Sequence, residues 1–125
     1  MPVSIWCILI SAILPILSAL PAKLDKSFDN ADPKNSDYWR DGFRARAQNA
    51  QTNGYEAFPF FAAAVIVALG QGGSLYWVDQ LSVLFIGLRL IYIACYWTNR
   101  STPRSIAWIA SFVTIIAIFT SPVWS

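Results

Sequence analysis

The chain has 125 residues, of which 56% are hydrophobic and 13% charged, with a mean hydropathy of +0.47. That balance excludes an ordinary soluble domain and indicates an integral membrane protein. Histidine is absent and the formal net charge is +2, so the usual general base and commonest metal ligand are missing and charge placement says more than charge sum.

Four apolar segments are long enough to cross a hydrocarbon core, which needs about 20 helical residues. The first spans roughly residues 2–22. It has no basic residue before its apolar run and several after it, so it reads as a retained span rather than a signal peptide. The linker Lys23 to Asp37 is polar, contains Pro33 and reads as a loop. Asn35 and Ser36 are candidate caps for a second helix from about residue 37. Its start is amphipathic and projects into water; its part at 53–69 spans the membrane. Pro59 is a candidate kink, and Gly70, Gly72 and Gly73 mark its end. The third span covers 75–98, with Asp79 near its start, where an acid complements the helix dipole. The fourth covers 103–122, with Thr102 as candidate cap and Pro103 at the first helical position. The whole chain, 1–125, is read as one all-α transmembrane bundle of four helices.

Basic residues fix an expected topology. Lys23, Lys26, Lys34, Arg40, Arg44 and Arg46 belong to the first connection and the helix that follows; Arg100 and Arg104 belong to the third. The positive-inside rule places both connections in the cytoplasm and both termini outside. Trp77 and Trp124 then mark the outer interface and Trp97 the inner one. Cys7 and Cys95 lie in apolar runs and read as inert buried thiols. No zinc spacing, phosphate loop or nucleophile elbow is present.

The informative stretch is Arg46 to Phe61, RAQNAQTNGYEAFPFF. At about 100° per residue, Arg46, Asn49, Asn53 and Glu56 share one quadrant of helix two. Arg89, Tyr92 and Tyr96 share a face of helix three. Arg104 and Ser105 open helix four, where free N–H groups favour an anion. Glu56 is the only acid among these deep groups, so the guanidinium groups are in excess and suit a small polyanion. Other readings stand beside this one. Glu56 and Arg89 form a structural ion pair, Asn53 bonds across helices, or Tyr92 and Tyr96 are interfacial aromatics.

The segment AQTNGYEAFPFF (50–61), with RLIYIACY (89–96) and PRS (103–105), resembles the MAPEG family, the membrane-associated proteins in eicosanoid and glutathione metabolism. The likeness is to a bacterial-type member. It points to microsomal glutathione transferase, and its Glu-x-Phe-Pro ending to leukotriene C synthase. The resemblance implies a homotrimer in the inner membrane, with glutathione as co-substrate bound between subunits near the cytoplasmic side. Asn53 and Glu56 would hold the glutathione backbone and Arg46 a terminal carboxylate. Arg89, Tyr92 and Tyr96 would line the site, and Arg104 would stabilise the thiolate with Ser105 beside it. Arg100 is the second candidate for the thiolate partner, and Lys23 a weaker basic candidate. Asn49, Tyr92 and Trp108 depart from residues found in some members. The implied activity is a glutathione transferase or peroxidase acting on lipophilic electrophiles. A non-catalytic lipid- or glutathione-binding scaffold of the same fold is the alternative, and a small transporter the reading from another class. Expected partners are further copies of the chain, glutathione, a lipophilic small molecule and membrane lipid, with no nucleic acid and no metal.

Overall fold

A computed structural model describes residues 1–125. It is all-helical: α1 (Val3–Lys23), α2 (Gly42–Gly70), α3 (Leu75–Trp97) and α4 (Ser101–Trp124). Each helix is long and apolar enough to cross a membrane, so the protein is an integral multi-pass membrane protein. α2 and α3 each pack on all three other helices, whereas α1 and α4 do not touch. The α2–α3 pair is therefore the spine, flanked on opposite sides by α1 and α4.

The first connection corrects the expected start of helix two. The helix begins at Gly42, not near residue 37, and Asn35 and Ser36 do not cap it. The Asn35 side chain accepts the Asp37 N–H at 2.9 Å, and Asp37 pairs with Arg40 at 3.3 Å. Two aromatic residues explain the delay. Trp39 is buried and donates its indole N–H to the Pro33 carbonyl at 2.9 Å. The Tyr38 hydroxyl donates to the Ala22 carbonyl. Phe28 meets both rings edge-on, and the group packs on Ala19, Ala22 and Ala47. A helix from residue 37 would turn the adjacent rings about 100° apart. Burying one large apolar side chain is worth about 1.5–3 kcal/mol, and a helix cap about 1 kcal/mol, so ring burial decides the fold here.

The other two connections are short because each uses a left-handed residue. Gly72 has φ +84°, and the Gly73 N–H reaches back to the Ala68 carbonyl at 2.8 Å. At the end of α3, Asn99 takes φ +58°. The Arg100 N–H bonds the Cys95 carbonyl at 2.8 Å and the Asn99 N–H bonds Tyr96 at 3.2 Å. Both are Schellman closures, which satisfy terminal carbonyls while reversing the chain. The second starts α4 two residues earlier than expected. Arg100, not Thr102, is the N-cap, and Pro103 falls third in the helix, still in the first turn, where its missing N–H costs nothing.

Asp79 also acts otherwise than expected. Its carboxylate accepts the Ser4 N–H at 2.9 Å, so it serves the N-terminus of α1 rather than that of its own helix. The core at this end is built on Phe61 and Phe85, stacked at 4.1 Å with 6° between planes, and on Ala64, Ala68, Val78 and Ile118. Trp77 meets Trp124 edge-on at 6.0 Å, which puts the two at one level. Buried Ser18, Ser82 and Ser111 donate their hydroxyls to carbonyls three or four residues back. They bring no unpaired donor into the bundle and let backbones approach. One close approach is at Gly54, where a Cβ would lie 2.7 Å from Pro15 Cγ.

Candidate functional site

The Asn99 reversal sets α4 antiparallel to α3 and brings its second turn opposite the last turns of α3. Arg104, Ser105, Trp108 and Ile109 from α4 then face Tyr92 and Tyr96 from α3 and Asn53 from α2. Together they line an open groove of about 340 Å³. Further from the α3–α4 turn lies a second space of about 120 Å³. Asn53, Glu56, Phe85, Arg89, Trp108 and Phe112 are among its walls. Asn53 and Trp108 border both spaces.

A ladder of charges and rings connects them. The Arg104 guanidinium sits 4.6 Å from the Tyr96 ring centre. Tyr96 meets Tyr92 edge-on at 5.2 Å, and the Arg89 guanidinium sits 4.3 Å from the Tyr92 ring. Such contacts contribute about 0.5–1 kcal/mol when exposed and about 2 when desolvated. They hold the cations without neutralising them.

No carboxylate neutralises these arginines. The chain's two ion pairs, Arg40–Asp37 and Arg44–Asp25, both involve the first connection. The ion pair weighed for Glu56 and Arg89 does not form. Arg89 is 4% exposed, whereas Glu56 lies exposed on the flank of α2, and they meet only as walls of one cavity. The Arg89 Nη2 and the Asn53 side-chain oxygen are buried without any partner. A buried polar group left so costs about 1–3 kcal/mol, more when charged. Both atoms belong to residues that border one cavity, and the bundle itself leaves both unsatisfied.

Other candidates fall differently. Arg46 is outside both linings; its Nε donates to the Tyr96 carbonyl at 3.0 Å, satisfying the end of α3. Asn49 is exposed, and Arg100 is exposed at the N-cap of α4. Both lie outside the linings, as does Lys23, which sits 6.0 Å from the Phe28 ring. The expectation of free backbone N–H groups at Arg104 and Ser105 is corrected. The helix begins at Ser101, and the Arg104 N–H is already bonded to the Arg100 carbonyl at 3.2 Å. Arg104 can act on a ligand through its side chain alone.

Sequence reasoning missed the aromatic walls as site residues. Trp108 and Phe112 follow Arg104 at i+4 and i+8, a spacing that puts them on its face of α4. Their rings stack at 5.9 Å with 7° between planes. The arrangement thus has a cationic, hydroxyl-bearing end and an aromatic, apolar end. It suits holding an anion beside an apolar molecule and offers no acid–base pair, since Glu56 is its sole carboxylate.

Among known proteins, the sequence profile of the MAPEG family matches residues 3–124. No curated protein and no solved structure matches the chain.

Proposed function

The chain belongs to the MAPEG family, and on that premise we propose that it is a glutathione-dependent membrane transferase or peroxidase acting on lipophilic electrophiles or hydroperoxides. The observation that carries the reading is that no carboxylate pairs with Arg89 or Arg104, while one side-chain atom each of Arg89 and Asn53 is buried without a partner. Glutathione has the matching chemistry. Its carboxylates accept from guanidinium groups, its amides donate to Asn53 and Glu56, and its sulfur becomes an anion. Tyr92, Tyr96 and Ser105 supply hydroxyl groups along the groove, and Arg46, which lies outside it and bonds the Tyr96 carbonyl through Nε, is the remaining candidate for a terminal carboxylate.

Arg104 stabilises the sulfur anion and so lowers the thiol pKa, with the proton passing to water. The sulfur then attacks an electrophilic carbon, whose leaving group departs with the bonding pair. With a hydroperoxide, the same sulfur attacks the terminal oxygen, the O–O bond breaks and the alkoxide leaves as an alcohol after taking a proton. A second glutathione then displaces hydroxide from the resulting sulfenic acid, giving glutathione disulfide and water. Catalysis comes from anion stabilisation and orientation.

Assembly follows from the same electrostatics. Glu56 is exposed on the single chain, and a carboxylate facing hydrocarbon costs about 2.5–3.5 kcal/mol or more. Three protomers packed around these flanks cover Glu56 and close the groove. Connections one and three face the cytoplasm, where glutathione is held, and both termini lie outside. The test is conjugation of chlorodinitrobenzene by purified protein. Replacing Arg104 with alanine should lower the rate about a hundredfold or more, as loss of an anion-stabilising donor does. Equal rates refute the role of Arg104, and glutathione binding without any turnover refutes the enzyme reading in favour of a scaffold.

A further inference from the structure

We propose that Arg46 is a positioning residue for Arg104: by pinning the Tyr96 carbonyl to α2, it fixes the end of α3 from which both the backbone and the guanidinium of Arg104 take their place. The inference deepens the proposed function by adding a residue to the thiolate site. It rests on that reading for its catalytic consequence, though not for the clamp itself.

The need for a clamp comes from how Arg104 is held. Neither of the chain's ion pairs involves it, and its guanidinium rests on the Tyr96 ring, 4.6 Å from the centre. A ring face leaves the charge free for an anion but grips it less firmly than a carboxylate fork does. Where Tyr96 stands therefore decides where the guanidinium stands. The backbone takes the same reference. The Asn99 N–H donates to the Tyr96 carbonyl at 3.2 Å, the Arg100 N–H to Cys95 at 2.8 Å, and the Arg104 N–H to Arg100 at 3.2 Å. Two routes, one through the ring and one through the turn, lead from the last turn of α3 to Arg104.

Helix ends fray unless something ties them. Here two successive residues are tied to different helices. Arg46 Nε, on α2, donates to the Tyr96 carbonyl at 3.0 Å. The Trp97 indole N–H donates to the Ser18 carbonyl of α1 at 2.8 Å. Arg46 is the tie that bears on the site, because Tyr96 lines the groove and Trp97 does not. A cation at that carbonyl also complements the negative end of the α3 dipole. The bond uses Nε alone, so the terminal nitrogens stay available to a carboxylate. That choice of atom separates the tie from the charge. Glutamine carries its amide nitrogen as far along the side chain as arginine carries Nε, so it keeps the tie without the charge. Lysine has a methylene there and its ammonium beyond, so it keeps the charge without the tie.

The test compares Arg46→Leu, Arg46→Lys and Arg46→Gln with wild-type protein in detergent. Three quantities are read: the pH midpoint of the glutathione thiolate band, kcat for chlorodinitrobenzene conjugation at saturating glutathione, and hydrogen exchange at the Asn99, Arg100 and Arg104 amides. In Arg46→Leu and Arg46→Lys exchange should quicken. Their kcat should fall about tenfold or more, since misplacing a reacting group by about 1 Å costs about a hundredfold. Their thiolate midpoint should move to higher pH, because a displaced Arg104 stabilises the sulfur anion less. Arg46→Gln should restore all three quantities to near their wild-type values. If Arg46→Leu does not fold, the Gln and Lys variants decide between tie and charge by themselves. With the glycine ethyl ester of glutathione, whose terminal carboxylate is masked, the ratio of wild-type to Arg46→Leu kcat should be unchanged. A ratio that falls to unity with the ester, or Arg46→Gln as slow as Arg46→Lys, overturns the positioning role. Two further outcomes separate this claim from the proposed function. Exchange that quickens in Arg46→Lys but not in Arg46→Gln, in a protein whose wild type shows no thiolate band, refutes the proposed function and leaves the clamp standing. A wild-type band whose midpoint stays put in Arg46→Lys refutes the positioning role alone.

Discussion

Gly54 sits at the crossing of α1 and α2, next to Asn53 and two residues from Glu56. A Cβ there would fall 2.7 Å from Pro15 Cγ and 3.2 Å from Pro15 Cβ. Carbon atoms rest about 3.5–4.0 Å apart, and a proline ring cannot rotate away, so the helices must part. Overpacking of this kind costs about 1–3 kcal/mol, against the roughly 0.5–1 kcal/mol that alanine gains over glycine inside a helix. Gly87 in α3 isolates the clash, because nothing lies within 4 Å of its Cβ. Gly54→Ala should therefore be less stable than Gly87→Ala by about 1–3 kcal/mol. At about 4 °C per kcal/mol for a chain of this size, the gap is roughly 4–12 °C in Tm. Intrinsic fluorescence during heating in detergent reads it. Adding Pro15→Ala to Gly54→Ala removes the Cγ contact but leaves the Cβ one, so about half the gap should return. Equal Tm values for the two glycine variants, or no recovery with Pro15→Ala, would refute the packing argument.

Asn99→Gly should be neutral within a few tenths of a kcal/mol and Asn99→Ala should cost about 1–2 kcal/mol, because φ +58° penalises a Cβ that lacks the asparagine amide; thermal denaturation of the pair measures it. Asp79→Ala leaves the Ser4 N–H uncapped and should cost about 1 kcal/mol, with faster hydrogen exchange confined to the first turn of α1. The Asp25 carboxyl is held below its ordinary range by the Ser27 N–H, the Ser27 hydroxyl and Arg44. A carboxyl lowered in the folded state anchors the connection fully above that range and releases it as pH falls through the lowered value. Protection of the Ser27 amide should thus be flat near neutrality and drop in acid, and Asp25→Asn should abolish the dependence. Loosening on raising the pH would contradict the assignment.

Hydropathy made the spans of α1, α3 and α4 legible, because a continuous apolar run leaves the chain little choice in lipid. The start of α2 was not legible. Asn35, Ser36 and Asp37 look like a cap, and only the inward packing of Trp39 against Ala19 and Ala47 shows why the helix waits until Gly42. Helical spacing found Arg89, Tyr92 and Tyr96 on one face, which the ladder of rings and cations bears out. Spacing within one helix cannot say which helix lies opposite. It therefore gave no sign that Asp79 serves α1, that Arg46 bonds the end of α3, or that Trp108 divides two spaces. The excess of guanidinium over carboxylate was readable from the sequence. That Glu56 and Arg89 leave each other unpaired depends on burial, which a sequence does not contain.

The central claim is that the unneutralised arginines hold glutathione as a thiolate. It is tested most directly by ultraviolet difference absorbance of purified protein titrated with glutathione at neutral pH. A saturable thiolate band should grow in wild-type protein and vanish in Arg104→Leu, while calorimetry shows glutathione still bound by the variant. Saturating glutathione that produces neither a thiolate band nor heat in the wild-type protein would contradict the account.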